Sequence, residues 1–265
     1  MYGTGEDRAL FARMDDLWQR ADRGEVGYTA FLTPGEVVRA RRYAVACGYA
    51  DRLVAWGGYE DAERQRLFCL PDYCAGLTEP ADWPEQLTEA VREVVVAVAI
   101  KGSGYRSLGH RDFMGSVLGL GIDRDAVGDI IVLNEREAVV LCGEVVARFL
   151  LESLEKVASD TVKVCRVPDG QAVSAHRRFE TVSDTVASAR LDCVVAALAN
   201  LSRERAQEAV RSGLCEVEYE EAPDCDRLLE PPCVLSIRGV GKFRLLSLSG
   251  PTKKGRLRLT AEKYI

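Results

Sequence analysis

The chain has no long hydrophobic run. Its longest apolar stretches, such as Val94 to Ile100, span seven residues, whereas a membrane-spanning helix needs about 20. The N-terminus also has no charged segment followed by the apolar segment of a secretory signal. These absences argue against a membrane protein and against export. We therefore expect a cytoplasmic protein without membrane contact, whose 265 residues form two or three domains.

Histidine is scarce, and the cysteines are badly spaced for metal binding. The chain has two histidines and nine cysteines, with no CxxC pair, and its two closest cysteines are Cys69 and Cys74. Zinc sites need tighter ligand spacing, and the glycines of residues 102–109 are wrongly spaced for a dinucleotide loop. We expect no metal site and no cofactor. We expect reduced, buried thiols, several of them in apolar runs: Cys142, Cys165 and Cys193.

The chain carries a formal net charge of −6, yet its C-terminal end is basic. Residues 238–265 contain eight Lys or Arg against one acid, Glu262, whereas residues 1–187 contain 30 acids against 22 Lys or Arg. Local charge steers a polyanion more than total charge does. The basic end therefore predicts nucleic-acid binding, and the alternative is an ordinary solvated strand face.

The region before the basic end predicts two short helices. The first has one apolar stripe at helical spacing: Leu191, Val194, Val195 and Leu198. Ser202 is a natural N-cap for the second helix, and Gly213 suits the left-handed residue that ends it. Arg203, Gln207 and Arg211 recur every four residues and share one face of that helix. Cations beside the free N–H groups of a helix N-terminus suit phosphate binding.

The basic end itself predicts a β-ribbon. Its two strands alternate cations with apolar residues: Lys242-Phe243-Arg244-Leu245 and Arg256-Leu257-Arg258-Leu259. A period of two sends the apolar set to the core and the cations to the opposite face. The turn between the strands adds Lys253 and Lys254, which are flanked by glycines and have no acid nearby in sequence.

These residues resemble the S4 domain, an RNA-binding fold named after a ribosomal protein. The matching positions are Arg190-Leu191-Asp192, Ser202-Arg203, Ala206 and Gly213. Four further segments resemble the YlmH family of bacterial and plastid S4 proteins: Arg238-Gly-Val-Gly-Lys-Phe, Thr252-Lys-Lys-Gly-Arg, Gly109-His-Arg-Asp-Phe and Gly128-Asp-Ile. The resemblance covers roughly residues 29–265 and is densest in the S4 part and in residues 107–133.

The resemblance implies binding to ribosomal RNA on the large ribosomal subunit, with tRNA as a second candidate, in translation-linked quality control. Under it, Arg203 and Arg211 contact phosphates, with Gln207 a polar neighbour, whereas Arg190 and Asp192 set the first helix. The candidate RNA-binding residues are Arg190, Asp192, Ser202, Arg203, Gln207, Arg211, Lys242, Lys253, Lys254 and Arg256. One stretch departs from the S4 pattern. Residues 216–230 hold seven acids and one arginine, so we expect that hairpin tip to stay away from RNA.

The chain as a whole predicts an α+β protein of three domains. Residues 1–75 form a mostly helical N-terminal domain, residues 76–180 a central ferredoxin-like domain, and residues 181–265 an S4 domain of the αL type. In the first, a stripe from Leu10 to Trp18 predicts one helix, and the capping box Thr33-Pro34-Gly35-Glu36 begins another. A strand over residues 53–56, a turn at Gly57-Gly58-Tyr59 and a further helix follow. Residues 71–84 form a linker.

The central domain predicts the order βαββαβ, which RNA-recognition motifs share. Its strands are residues 94–101, 129–133, 138–142 and 161–167, and its helices residues 110–118 and 144–157. The second helix should turn four residues inward: Val145, Phe149, Leu150 and Leu154. Strand 137–142 lacks the stacking aromatics of an RNA-recognition motif. We interpret this sheet as a scaffold or a protein-contact surface.

Two hypotheses compete with simple RNA binding: an enzyme and a protein-recruiting adaptor. For the enzyme, His110-Arg111-Asp112 contains acid–base side chains. Because His110 and Asp112 lie on different helix faces, we favour a structural or RNA-contact role for this segment. Pseudouridine synthases and tyrosyl-tRNA synthetases also append S4 domains, yet their catalytic motifs are missing here. We expect no catalytic residues and no enzyme. The other alternative is an adaptor whose acidic residues 1–187 recruit a protein partner.

Overall fold

The computed structural model describes residues 5–77, 82–168, 171, 173–174, 179–252 and 255–265. The chain divides into two compact units, Met1–His176 and Arg177–Ile265. Both combine helices with antiparallel sheets, which confirms the predicted α+β class. Within the described ranges, no helix is long and apolar enough to cross a membrane.

The first unit begins with two helices packed on a small sheet. The helices are α1 (Gly5–Ala21) and α2 (Pro34–Cys47), and the strands are β1 (Gly27–Tyr28), β2 (Leu53–Trp56) and β3 (Arg66–Cys69). The antiparallel strand order is β1-β3-β2. The predicted apolar stripe of α1 is confirmed, because Met14 and Trp18 are buried. The helix predicted after Tyr59 is wrong: the chain forms β3, which pairs with β2 and buries every residue of the strand.

The predicted capping box starts α2. The backbone N–H of Thr33 donates to the Glu36 carboxylate at 2.7 Å, and the Glu36 N–H donates to Thr33 Oγ1 at 3.4 Å. Gly48 ends the helix at φ +79°, a conformation that suits glycine. Local sequence alone therefore sets both ends of α2.

Replacing Thr33 with alanine removes this cap. Since the side chain is exposed and makes no core contact, the expected loss is about 1 kcal/mol of unfolding free energy in the first unit. Thr33→Ser keeps the cap and is the matched control. Denaturant unfolding followed by tryptophan fluorescence measures the difference, and equal midpoints for both variants would contradict the role of the cap.

A helix that the sequence did not predict precedes the central sheet. The described part of the expected linker contains a turn of 3-10 helix, Asp72–Cys74, and α3 follows at Glu85–Val94. Leu87 and Val91 of α3 are buried against Phe68 and Leu70. The prediction missed α3 although its apolar residues recur at helical spacing, at Leu87, Ala90, Val91 and Val94, so the signal was present in the sequence.

The central sheet confirms the predicted βαββαβ order. Its elements are β4 (Val96–Gly102), α4 (His110–Leu118), β5 (Val127–Val132), β6 (Glu137–Cys142), α5 (Glu144–Ser153), β7 (Lys156–Val157) and β8 (Asp160–Arg166). The antiparallel strand order is β5-β6-β4-β8-β7, with β7 a short addition at one edge. Helices α4 and α5 cover one face, where Phe113 and Leu150 are fully buried.

Two details of α5 differ from the prediction. The helix ends at Ser153 rather than at residue 157. Val145 is 82% exposed and Phe149 40% exposed, whereas Ala147 and Leu150 face the core. The sequence places apolar residues on more than one side of this helix, so periodicity did not identify the buried side.

The nine cysteines are all free. Six are buried, whereas Cys47 and Cys165 are exposed and Cys193 is half-buried, so the prediction of burial was wrong for Cys47 and Cys165. Burial raises the pKa of the Cys69 thiol and of the Cys142 thiol to about 12 in each case. Such thiols stay protonated and behave as apolar core groups. In the part of the chain described here, no cluster of three or more His, Cys, Asp or Glu could hold a metal ion.

The second unit places two helices on a sheet. Its elements are β9 (Phe179–Val186), α6 (Leu191–Leu198), α7 (Arg203–Arg211), β10 (Cys215–Val217), β11 (Glu220–Glu221), β12 (Cys233–Ile237), β13 (Gly241–Pro251) and β14 (Leu257–Tyr264). The antiparallel order is β11-β10-β12-β13-β14-β9. The two predicted helices are confirmed. Ser202 caps α7, and Gly213 beyond its end has φ +71°.

Candidate nucleic-acid interface

A buried carboxylate joins the two helices of the second unit. Asp192 is 0% exposed, and Arg190 grips it with two hydrogen bonds, donated from Nε at 3.0 Å and from Nη2 at 2.8 Å. Gln207 Nε2 donates a third at 2.8 Å, and Arg203 Nε lies 3.6 Å away. A buried charge needs such partners. The cluster therefore fixes α7 against the start of α6.

These contacts stabilise the charged form of the carboxylate. The hydrogen bonds from Arg190 hold the pKa of Asp192 well below its usual range, and the Gln207 bond adds to the effect against the opposing effect of burial. The same pairing raises the pKa of the Arg190 guanidinium. Arg190 and Asp192 are thus a permanent ion pair at neutral pH.

The acidic stretch of residues 216–230 also contacts this cluster. The Leu191 N–H donates to the Arg227 carbonyl at 2.8 Å, and the Asp192 N–H donates to the Cys225 carbonyl at 3.2 Å. Arg190 forms a second ion pair with Asp226. Two N–H groups at the α6 N-terminus therefore donate to loop carbonyls, and the Arg190 guanidinium is paired with the carboxylates of Asp192 and Asp226.

The outward cations of this region lie on α7. The Arg203 side chain is 63% exposed, and Arg211 is exposed with no ion pair or hydrogen bond to its side chain within the described residues. Ser202 is exposed and accepts from the Arg205 N–H at 3.4 Å. Arg205 is exposed as well. The sequence analysis did not select Arg205, because it considered only residues spaced by four along the helix. Its position in the first turn of α7 could have identified it as a candidate.

Lys242 lies on a different surface. Phe243 and Leu245 enter the core shared with α6 and α7, which confirms the predicted alternation and puts Lys242 on the opposite face of the sheet. There its ammonium lies 4.8 Å from the Tyr219 ring centroid and 4.9 Å from that of Tyr264. Lys242 is therefore held between two aromatic rings, away from the cations of α7.

The hairpin between β13 and β14 is only partly described. Arg256 Nε donates to Thr185 Oγ1 at 3.0 Å, and its Nη2 donates to the Thr185 carbonyl. The guanidinium is thus anchored to β9. Lys253 and Lys254, which the sequence singled out, lie outside the described residues. Of the predicted set, the structure brings four residues into contact: Arg190, Asp192, Arg203 and Gln207. Ser202 and Arg211 lie at the two ends of α7.

The face of the central sheet that is free of α4 and α5 is partly covered. Tyr59 and Ala62 pack on it against Ile131, Val139 and Leu141. This is the face on which an RNA-recognition motif stacks bases. The covering segment and the lack of strand aromatics both argue against base stacking there.

The Gly128-Asp129 segment binds this covering segment to the sheet. Asp129 accepts hydrogen bonds from Tyr59 Oη at 2.7 Å, from the Glu63 N–H at 2.7 Å and from the Arg64 N–H at 3.1 Å. A side chain on Gly128 would place its Cβ 2.7 Å from the Phe31 ring. Both residues therefore hold the N-terminal part of the first unit on its central sheet.

The Gly109–Phe113 segment begins α4. The Asp112 carboxylate accepts from the Gly109 N–H at 2.9 Å at the start of that helix, and Phe113 is fully buried. His110 is exposed. The structural or RNA-contact role of His110-Arg111-Asp112 stays a prediction.

Comparisons with known proteins agree with this architecture. The family model "Putative RNA-binding domain in YlmH" matches residues 95–170, and "YlmH, N-terminal" matches residues 6–74. The chain is 30% identical over 261 residues to "Ribosome-associated protein quality control protein P2" of Bacillus subtilis, covering 97% of this chain and 96% of that protein. It resembles in fold the solved structure "Cell division protein ylmH from Streptococcus pneumoniae", with a TM-score of 0.50 at 19% identity, covering 66% of this chain and 98% of that one. The chain belongs to the YlmH family.

Proposed function

We propose that this chain binds structured RNA on the large ribosomal subunit, through a C-terminal S4 domain, in ribosome-associated quality control. The observation that carries the proposal is the outward row of arginines on α7, held by the buried Asp192 cluster. The B. subtilis relative supports the ribosomal setting through its name and its similarity along nearly the whole chain. A ribosomal partner implies a cytoplasmic location and a binding role rather than a catalytic one.

The arginines of α7 suit phosphate recognition. A guanidinium presents planar donors that match phosphate oxygens, and α7 is oriented before RNA arrives because Gln207 and Arg203 both contact Asp192. Preorganisation lowers the entropy lost on binding. Arg203 and Arg211 are the proposed phosphate ligands, with ribosomal RNA as the main partner and tRNA as the second.

The test is sedimentation with separated ribosomal subunits across a salt series. The Arg203→Glu, Arg211→Glu double variant is expected to bind the large subunit at least about tenfold more weakly. The slope of log affinity against log salt should fall by about 1 for each phosphate that the variant no longer binds. Arg13→Glu changes the charge of an exposed residue on α1 and serves as the matched control. Unchanged affinity and slope in the double variant would show that α7 is not the RNA face.

A specific outcome would favour the adaptor. Val145 and Phe149 form an exposed apolar pair on α5, and exposed apolar side chains are common at protein contacts. If the α7 double variant still pelleted with the large subunit in a salt-insensitive manner, a protein contact would replace RNA as the anchor.

A further inference from the structure

An open cleft of about 710 Å³ lies in the first unit, beside the N-terminus of α5. Four arginines line it: Arg66, Arg92, Arg148 and Arg166. Three carboxylates line it too: Glu89, Glu93 and Glu144. The volume falls in the range of small-ligand sites, and none of the predicted site residues belongs to this cleft.

Arg66 is the unusual member of this set. It is only 9% exposed, and no ion pair to it occurs within the described residues. Its Nη1 donates to the Thr29 carbonyl at 2.7 Å, and its guanidinium lies over the Phe31 ring at 4.4 Å from the centroid. Its Nε is buried without a hydrogen-bond partner among the described residues.

Nη2 is the donor of Arg66 on the α5 side. It makes no hydrogen bond within the described residues, whereas Nε is enclosed and out of reach of a ligand. Nη2 lies near Gly143 at the start of α5, since a Cβ on that glycine would lie 3.2 Å from it. Burial lowers the pKa of Arg66, but an arginine stays charged in proteins. A buried cation with Nη2 on the α5 side therefore lines the cleft.

The start of α5 offers donors at the same place. Gly143 is the N-cap and has no side chain to accept from the first turn. The first helical bond runs from the Ala147 N–H to the Gly143 carbonyl at 2.9 Å. The three preceding N–H groups, of residues 144–146, have no partner in the helix and carry its positive dipole end.

Further charged side chains surround the start of α5. Glu144 accepts from Arg148 Nε at 2.9 Å and pairs with Arg166 Nη1 at 2.7 Å. Its carboxylate neutralises part of their charge but also fixes both guanidinium groups at the rim. Arg66 lies deeper and has no such carboxylate among the residues that the structure describes.

We propose that this cleft is a phosphate-binding site, in which Arg66 Nη2 and the N–H groups of the first turn of α5 hold the phosphate oxygens. Arg148 supplies a further cation at the rim. The phosphate belongs either to an RNA backbone or to a small phosphorylated molecule. The RNA source rests on the proposed function. Half of the lining residues lie within residues 95–170, the region matched by the RNA-binding family model, whereas Arg66 lies in the region matched by the N-terminal family model. The phosphate chemistry itself does not depend on that function.

The experiment is an NMR titration of the full chain that follows the amide signals of residues 144–146. Inorganic phosphate is expected to shift them in a saturable manner, with a Kd on the order of millimolar. Arg66→Lys keeps the charge but removes the Nη2 donor, and it should weaken binding about tenfold. Arg148→Gln, at a side chain that is 72% exposed, should weaken it a few-fold without threatening the fold. Arg13→Gln is the control and should leave the titration unchanged.

A parallel titration with a short single-stranded RNA separates the two sources. Saturable shifts at residues 144–146 that phosphate competes away would support an RNA phosphate. Shifts with phosphate alone would support a small phosphorylated ligand and overturn the RNA source. No saturable shift with either probe would overturn the site. The proposed function fails separately, through unchanged large-subunit binding of the α7 variant.

Discussion

Replacing Asp192 with alanine is expected to destabilise the C-terminal unit by about 3 kcal/mol. The substitution removes the acceptor of two hydrogen bonds from Arg190, although Arg190 keeps its ion pair with Asp226. Here the substitution would also free the donors of Gln207 and Arg203, which the carboxylate now orders. The orientation of α7 should therefore loosen, and binding through Arg203 should weaken as a secondary effect.

Hydrogen exchange of α6 and α7 measures this change. The three tryptophans, Trp18, Trp56 and Trp83, all lie in the first unit, so their fluorescence reports on that unit and serves as an internal control. Faster exchange in both helices with unchanged tryptophan unfolding is the expected pattern. Native-like exchange in the Asp192→Ala protein would mean that the cluster does not hold the helices.

The same carboxylate gives a pH dependence of known sign. Because the folded-state pKa of Asp192 is depressed, its stabilisation is fully present above the unfolded-state pKa of about 3.9. It is lost as the pH falls from there through the folded-state value. Asp192→Asn should therefore flatten the decline in stability of the second unit below about pH 4.

The second large effect is expected at Asp129. Asp129→Ala removes three hydrogen bonds that join residues 59–64 to the central sheet. Hydrogen bonds to charged groups contribute about 1.5–3 kcal/mol each, and two backbone N–H groups would be left without an acceptor. Because such effects are not fully additive, we expect a destabilisation of the first unit of about 3 kcal/mol.

Tyr59→Phe is the graded control, since it removes the bond at 2.7 Å from the tyrosine hydroxyl to Asp129 and keeps the ring. Its expected cost is about 1 kcal/mol. Tryptophan fluorescence during urea unfolding measures both variants, and it should show a much larger shift for Asp129→Ala. Equal shifts would mean that the backbone N–H groups find other acceptors and that Asp129 does not anchor the segment.

Local patterns predicted much of this fold. The α2 capping box, the apolar stripe of α6 and the Ser202 cap depend on residues three or four positions apart, so the sequence shows them directly. The alternation of β13 likewise follows from neighbouring residues. Predictions failed where the local sequence was compatible with two structures. Residues 66–69 became a strand by pairing with β2, and Val145 stayed exposed because α5 is apolar on more than one side.

The sequence by itself determined the class of the fold, the two C-terminal helices and the concentration of cations near the end of the chain. Only the tertiary structure decided which of those cations remain available. Arg190 is occupied by Asp192 and Asp226, and Lys242 lies between Tyr219 and Tyr264. Arg66, which lines the cleft, lies in a segment that carries no recognisable motif. The physical reason is that charge compensation and burial depend on partners far apart in the chain, which no local spacing records.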